Sequence, residues 1–205
     1  MAVTIVSHNV KGLNSPIKRR MVATYYLKLN AVALQETHWA HKGPPPYLHR
    51  SFPQIFTSLY SDKKKRDLFT LILQHSQETM ILMVVFNLVV NSIIDRKGSS
   101  TITANATPKV VKRLFIESHL IYAWRSQHPS DLEYTFFSAP HNSYCRIDFF
   151  MVPQHFLPRI SITQIYPISW SDHAATTLSV TLTLYTPTRH MWRLNESLLV
   201  DPVIS

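Results

Sequence analysis

Glycine is scarce in this chain. Only Gly12, Gly43 and Gly98 occur among 205 residues, far below the average usage of about 7%. That excludes a fold built on many tight glycine turns, and 13 prolines supply much of the punctuation instead. A single cysteine, Cys145, excludes an internal disulfide and fits a reducing compartment. Acidic residues are few as well, 12 against 21 Lys plus Arg, for a net charge of +9 with His neutral. That excess points to a polyanionic partner, nucleic acid ahead of an anionic membrane surface. No long apolar run is present. The most apolar stretch, residues 80–90, is interrupted by Asn87 and is shorter than the roughly 20 residues a spanning helix needs. Residues 1–9 alternate and have no basic start, which excludes a signal peptide. An intracellular protein, nuclear or cytoplasmic, is expected. What the chain does have is 45% hydrophobic residues, enough to bury the core of one domain.

Residues 3–6 form a β-branched run that leads into Ser7-His8-Asn9. This reads as a buried strand with polar residues at its C-terminal end. A turn follows at Gly12-Leu13-Asn14-Ser15-Pro16, then a helix over 18–28 with Met21, Val22, Tyr25 and Leu29 on one side. Residues 31–34 are a second apolar strand, with Gln35-Glu36-Thr37-His38 at its end. This is a βαβ-like beginning, in which sites gather beyond the strand ends. Further strands are expected at 54–58, 80–86, 134–137, 146–152, 161–165 and 174–184. Helices are expected at 68–77 and 108–119, a charged solvated loop at Lys63-Lys64-Lys65-Arg66, and a polar loop over 96–105.

Asn9, Glu36, Asn87, Asp148, Asp172 and His173 stand at strand ends. Ser171-Asp172-His173 sets an acid beside an imidazole just before the last strand, where one site can use both only if the backbone turns. Hard divalent ions prefer carboxylate and amide oxygens, and Mg²⁺ typically takes one or two carboxylates and keeps waters for a phosphate. An imidazole held by a second carboxylate could stabilise charge on phosphoryl oxygens or shuttle a proton. These residue types point to metal-dependent phosphoester chemistry. His38, His41 and His49 are irregularly spaced and read as solvated. Cys145 has no histidine at a partner spacing and reads as a strand residue.

The runs Ser7-His8-Asn9-Val10-Lys11-Gly12-Leu13-Asn14-Ser15-Pro16-Ile17-Lys18-Arg19 and Leu34-Gln35-Glu36-Thr37-His38 also resemble the start of a known domain. It is the endonuclease domain of long-interspersed-element (LINE) retrotransposons, within the endonuclease/exonuclease/phosphatase superfamily. Glu133-Tyr134-Thr135-Phe136-Phe137-Ser138 with Ser143-Tyr144-Cys145-Arg146-Ile147-Asp148 resembles its next block, and Ser171-Asp172-His173 its closing block. Trp192-Arg193-Leu194-Asn195 resembles the segment leading toward a reverse transcriptase. The resemblance implies a four-layer α/β sandwich, two mixed sheets flanked by helices, over residues 1–185, with a C-terminal tail at 186–205. It implies Mg²⁺, with Mn²⁺ as an alternative, bound by Glu36 with Asn9 beside it and Asp172 near the metal and leaving oxygen. It further implies His173 at the scissile phosphate oriented by Asp148, Asn87 positioning phosphate and water, and Thr135 at the DNA-contacting surface. The implied reaction nicks one DNA strand to leave a 3′-hydroxyl that primes reverse transcription. A monomer with no small-molecule cofactor and no membrane attachment is expected.

Two departures bear on activity. Where the family has Gly-Gly-Asp-Phe-Asn, this chain has Val84-Val85-Phe86-Asn87 at the end of the run. Val85 stands in the Asp position, and valine can neither accept a proton nor a hydrogen bond. The family's long middle, with its Tyr-Ala-Pro-Asn motif, is replaced by a short segment at about 66–79, so central strands are expected to be missing. The expectation is a degenerate copy whose nuclease activity is lost. The alternatives are a catalytically dead basic domain that still binds nucleic acid, and a product with no function.

Overall fold

The computed structural model describes residues 2–38, 81–85, 87, 89–98, 113 and 115–182. The elements read from sequence at 54–58 and 68–77, His41, His49, the charged run at 63–66, the tail at 186–205 and most of the helix at 108–119 lie outside these residues.

Three sheets make up the described part. The first has strand order β2-β1-β10-β9, from β1 (Ala2–Asn9), β2 (Ala31–Gln35), β9 (Ile160–Ile165) and β10 (Thr176–Thr181). It is mixed, because β1 runs parallel to β2 and antiparallel to β10. The helix α1 (Pro16–Tyr26) makes the crossover between the parallel pair. The second sheet has order β3-β8-β5, from β3 (Leu82–Val85), β5 (Leu120–Tyr122) and β8 (Asp148–Pro153). The third is a small meander of β4 (Arg96–Gly98), β7 (Ser143–Cys145) and β6 (Phe136–Ser138).

The period-two pattern of the strands sorts their side chains into layers. Val6 and Val10 turn outward from β1 onto Val22 and Tyr26 of α1. Ile5 turns inward and joins Leu178, Val180, Phe150 and Val152 in the core shared by the first two sheets. Phe149 and Met151 alternate to the far face of β8, where Leu120, Leu82 and Phe115 cover them. The order is therefore helix, sheet, sheet, and a further helical layer around Phe115. Each fully buried Val or Leu in these layers contributes about 1.5–3 kcal/mol. Among the described residues no helix is long and apolar enough to cross a membrane.

Two expectations needed correction, and two short elements were not foreseen. Residues 96–98 form strand β4, not a loop. Arg96-Lys97-Gly98 carries no apolar signal because its pairing with β7 runs through the backbone. The space beside Gly98 is closed: with φ at +136°, an added Cβ would meet Asn142 and Ser143 at 2.8 Å. The strand expected over 146–152 starts at Asp148, with β7 as a separate piece before it, because Arg146 turns its guanidinium into a buried network. Finally, β5 and the short helix α2 (Ala123–Gln127) are too brief to show a period in sequence.

Candidate active site

Asp148 opens β8 on its inward face, the same parity as Phe150 and Val152. Nδ1 of His173 lies 3.0 and 2.9 Å from the two Asp148 carboxylate oxygens. Both side chains are buried, 7% and 3% exposed. Thr135 fixes the acid from behind, its Oγ1 accepting the amide hydrogens of Ile147 and Asp148 at 3.0 and 3.1 Å. Burial pushes the Asp148 carboxyl up from its ordinary range, while His173 and Thr135 pull it back toward the charged form.

The imidazole is held at its backbone too. Phe136 pairs with His173 across a β-bridge. The amide of Ala174 donates to the Thr135 carbonyl at 2.7 Å and that of Phe137 to the Asp172 carbonyl at 2.9 Å. Ser171 Oγ donates to the Asn9 carbonyl at 2.8 Å. This is the backbone turn that lets Asp172 and His173 serve one cleft.

His8 completes the support from the other side, and its role was not read from the sequence. Its Nε2 donates to the His173 carbonyl at 3.1 Å, which leaves Nδ1 to accept from the Tyr26 hydroxyl at 2.6 Å. Its even position on β1 points it toward α1, and that parity with Val6 was the available signal. Burial lowers the His8 pKa to about 4, so it is neutral at pH 7. The unfolded chain titrates near 6.5, so it binds more protons than the folded chain between pH 6.5 and about 4. His8's contribution to stability is therefore complete above pH 6.5 and lost as pH falls toward 4, in all about 3 kcal/mol. Urea unfolding at pH 7 and pH 4.5 should show this loss, with a smaller difference between the two pH values in His8→Gln. An equal difference in both proteins would contradict it.

The cation side of the cleft is built by two strand ends zipped together. Val10, Gly12 and Leu13 donate backbone hydrogen bonds to the carbonyls of Gln35, Glu36 and Thr37 at 3.0, 2.7 and 2.7 Å. Lys11 and Glu36 both adopt left-handed backbone, φ +46° and +49°, an uncommon and strained region for such residues. Lys11 Nζ lies 2.6 Å from Asp172 Oδ2. Burial would raise the Asp172 carboxyl, but the Lys11 hydrogen bond and charge outweigh it and hold the pKa below the ordinary value.

The structure therefore brings Asp148, His173, Thr135, Asp172 and the buried Asn9 to one end of the sandwich. Thr135 corrects the sequence reading, since it is wholly buried and offers no DNA-contacting surface. Glu36 is exposed, and its charge is felt by Lys11 and Asp148. Asn87, at φ +52° and exposed, stands two residues past Val85 and makes no described contact with the dyad. Val85 is paired directly opposite Asp148. Of the implied metal set of Glu36, Asn9 and Asp172, two groups are engaged by Lys11, so a divalent ion would have to displace its ammonium from Asp172. Asn9 Oδ1 accepts from the Lys11 amide at 3.1 Å and Asp172 Oδ2 faces the Lys11 ammonium. Among the described residues no group of three His, Cys, Asp or Glu side chains could hold a metal. Asn9 Nδ2 is buried and has no partner among the described residues.

No protein-family model matches the chain. A 3′ phosphatase from Neisseria, NExo, solved with a product DNA hairpin, superposes with a TM-score of 0.67 over 88% of this chain and all of that one, at 14% identity. The chain has the endonuclease/exonuclease/phosphatase fold. The AP endonuclease LMAP of Leishmania major shares the fold less completely, with a TM-score of 0.51 over 60% of this chain and 44% of its own, also at 14% identity. In sequence, 99 residues are 27% identical to an uncharacterised 149 kDa protein of transposon TX1 from Xenopus laevis. That match takes in 47% of this chain and 8% of the transposon protein, and it agrees with the LINE-type resemblance of the strand-end motifs.

Proposed function

We propose that this chain is a retrotransposon-derived endonuclease-type domain that still engages a DNA phosphodiester at the Asp148–His173 dyad but no longer hydrolyses it. The observation that carries this reading is the dyad itself. Asp148 occupies Nδ1 of His173, and Nε2 on the far side of the ring has no hydrogen bond among the described residues. A protonated His173 paired with Asp148 can donate from Nε2 to a phosphate oxygen. The net charge of +9 favours the polyanion. The fold and the transposon relative support the nuclease ancestry.

Loss of hydrolysis follows from two features. Val85 stands opposite Asp148 where the resembled family carries an acid. A missing general base typically lowers rate by 10²–10⁴-fold. In the ancestral reaction Mg²⁺ or Mn²⁺ would neutralise charge developing on the phosphate, but Lys11 engages Asp172 Oδ2 and Asn9 Oδ1, two of the oxygens such an ion would use.

Supercoiled plasmid incubated with Mg²⁺ tests this reading. Wild type and His173→Gln, whose amide can still donate to Asp148, should give the same background of nicked circles. Nicking by wild type that disappears in His173→Gln would contradict the proposal.

A further inference from the structure

Lys11 stands where two strand ends meet and touches two of the three groups that the resemblance assigns to a cation, Asp172 and Asn9. Its Nζ is 2.6 Å from Asp172 Oδ2, and its own amide donates to Asn9 Oδ1 at 3.1 Å. Glu36 lies close enough for its charge to act on Lys11. The Lys11 backbone is locked by the bond from the Gly12 amide to the Glu36 carbonyl at 2.7 Å. Lys18 braces the same turn by donating from Nζ to the Val10 and Lys11 carbonyls at 2.7 and 3.3 Å.

We propose that Lys11 is a built-in cation of the cleft: its ammonium replaces a divalent ion at Asp172, and a divalent ion can bind there only by displacing it. The ammonium offsets the acid charge that would otherwise face an incoming phosphate, so the phosphate side of the cleft needs no metal. Lys11 is 64% exposed, so its pairing is solvent-screened and displaceable. Repulsion between an ammonium and a divalent ion about 4 Å apart, taken at the water-like end of the dielectric range and screened by salt, amounts to about tenfold in affinity.

The proposal rests on reading this cleft as the phosphodiester site, but its test contains no DNA. Mn²⁺ is titrated into the full chain at about 0.15 M salt, with free ion followed by electron paramagnetic resonance. The proteins are wild type, Lys11→Met, Lys28→Met as an equal charge loss at the exposed end of α1, and Lys11→Met with Asp172→Asn. Thermal melts confirm that each is folded. Lys11→Met should bind Mn²⁺ about tenfold more tightly than wild type, Lys28→Met less than twofold more tightly, and the double variant should lose the gain. Equal affinity in wild type and Lys11→Met, or no binding in either, overturns the proposal. So does a gain that survives Asp172→Asn. A failure of DNA binding in separate experiments would leave this titration unchanged, so the two readings fail independently.

Discussion

Arg146→Met is expected to lower the unfolding free energy by about 3–5 kcal/mol. Arg146 is fully buried. Its Nη1 donates to Asp95 Oδ1 at 2.7 Å, Nε to the Glu133 carbonyl at 2.7 Å, and Nη2 to the carbonyls of Asp131 and Glu133. The guanidinium also lies 4.0 Å from the centre of the Trp124 ring. Methionine fills much of the volume but leaves the Glu133 carbonyl without its donors, whereas the Asp131 carbonyl keeps Arg125 Nη1 at 3.1 Å; an acceptor orphaned in this way costs about 1–3 kcal/mol. Asp95 keeps two partners, since Arg125 Nη2 lies 2.6 Å from its Oδ1 and the Asn91 amide donates to its Oδ2 at 3.0 Å. The orphaned Glu133 carbonyl together with the lost Asp95 and Trp124 contacts therefore makes up the loss. Typical domains have only about 5–15 kcal/mol to lose, so the variant should unfold at markedly lower urea. The network joins the start of β4 to the residues before β6, so β8 and Asp148 should loosen with it. A midpoint shift worth less than about 1 kcal/mol would contradict this account.

His173→Ala should be comparably costly, and its cost should depend on pH. The alanine leaves Asp148 buried, 3% exposed, without its imidazole hydrogen-bond partner. Breaking a buried pair from one side typically costs about 3–5 kcal/mol. Burial already pushes the Asp148 carboxyl upward, and His173 is the first influence that restrains it. Without His173 the folded pKa rises further above the unfolded value near 3.9. The stability of the variant should therefore be greatest below that unfolded value, where Asp148 is protonated, and should fall as pH rises toward the folded one. Adding Asp148→Asn to His173→Ala should remove most of the pH-dependent part. Denaturant melts at pH 4 and pH 7 measure it, and a deficit equal at both pH values would refute the explanation.

Much of this site was legible because its residues sit at strand ends whose strands are long and periodic. β1, β2, β9 and β10 show β-branched or alternating runs, so Asn9, Glu36, Asp172 and His173 could be placed at one end of a sheet before any coordinates. The Asp148–His173 pairing came from the family resemblance, since nothing in a separation of 25 residues announces a contact. Thr135 was placed at the DNA-contacting surface by the resemblance alone, and only the turn of Ile147 and Asp148 back onto its hydroxyl shows that it is buried. Lys11 was read as part of a motif and not as a cation in the site, because its partner Asp172 is 161 positions away. Arg146 likewise looked like an ordinary strand residue until three separate segments, at Asp95, Trp124 and Asp131–Glu133, closed around it. Short elements such as β4, β5 and α2 carry too few residues for a period and take their structure from their neighbours.

The most direct test of a retained phosphodiester site is equilibrium binding of a short duplex DNA in EDTA, by fluorescence anisotropy at two salt concentrations. Wild type and His173→Gln are compared. Wild type should bind about tenfold more tightly at each salt, with both affinities falling as salt rises, because one charge-assisted contact to phosphate is removed from a basic surface. Equal affinity for the two proteins, or binding indifferent to salt, would contradict the account.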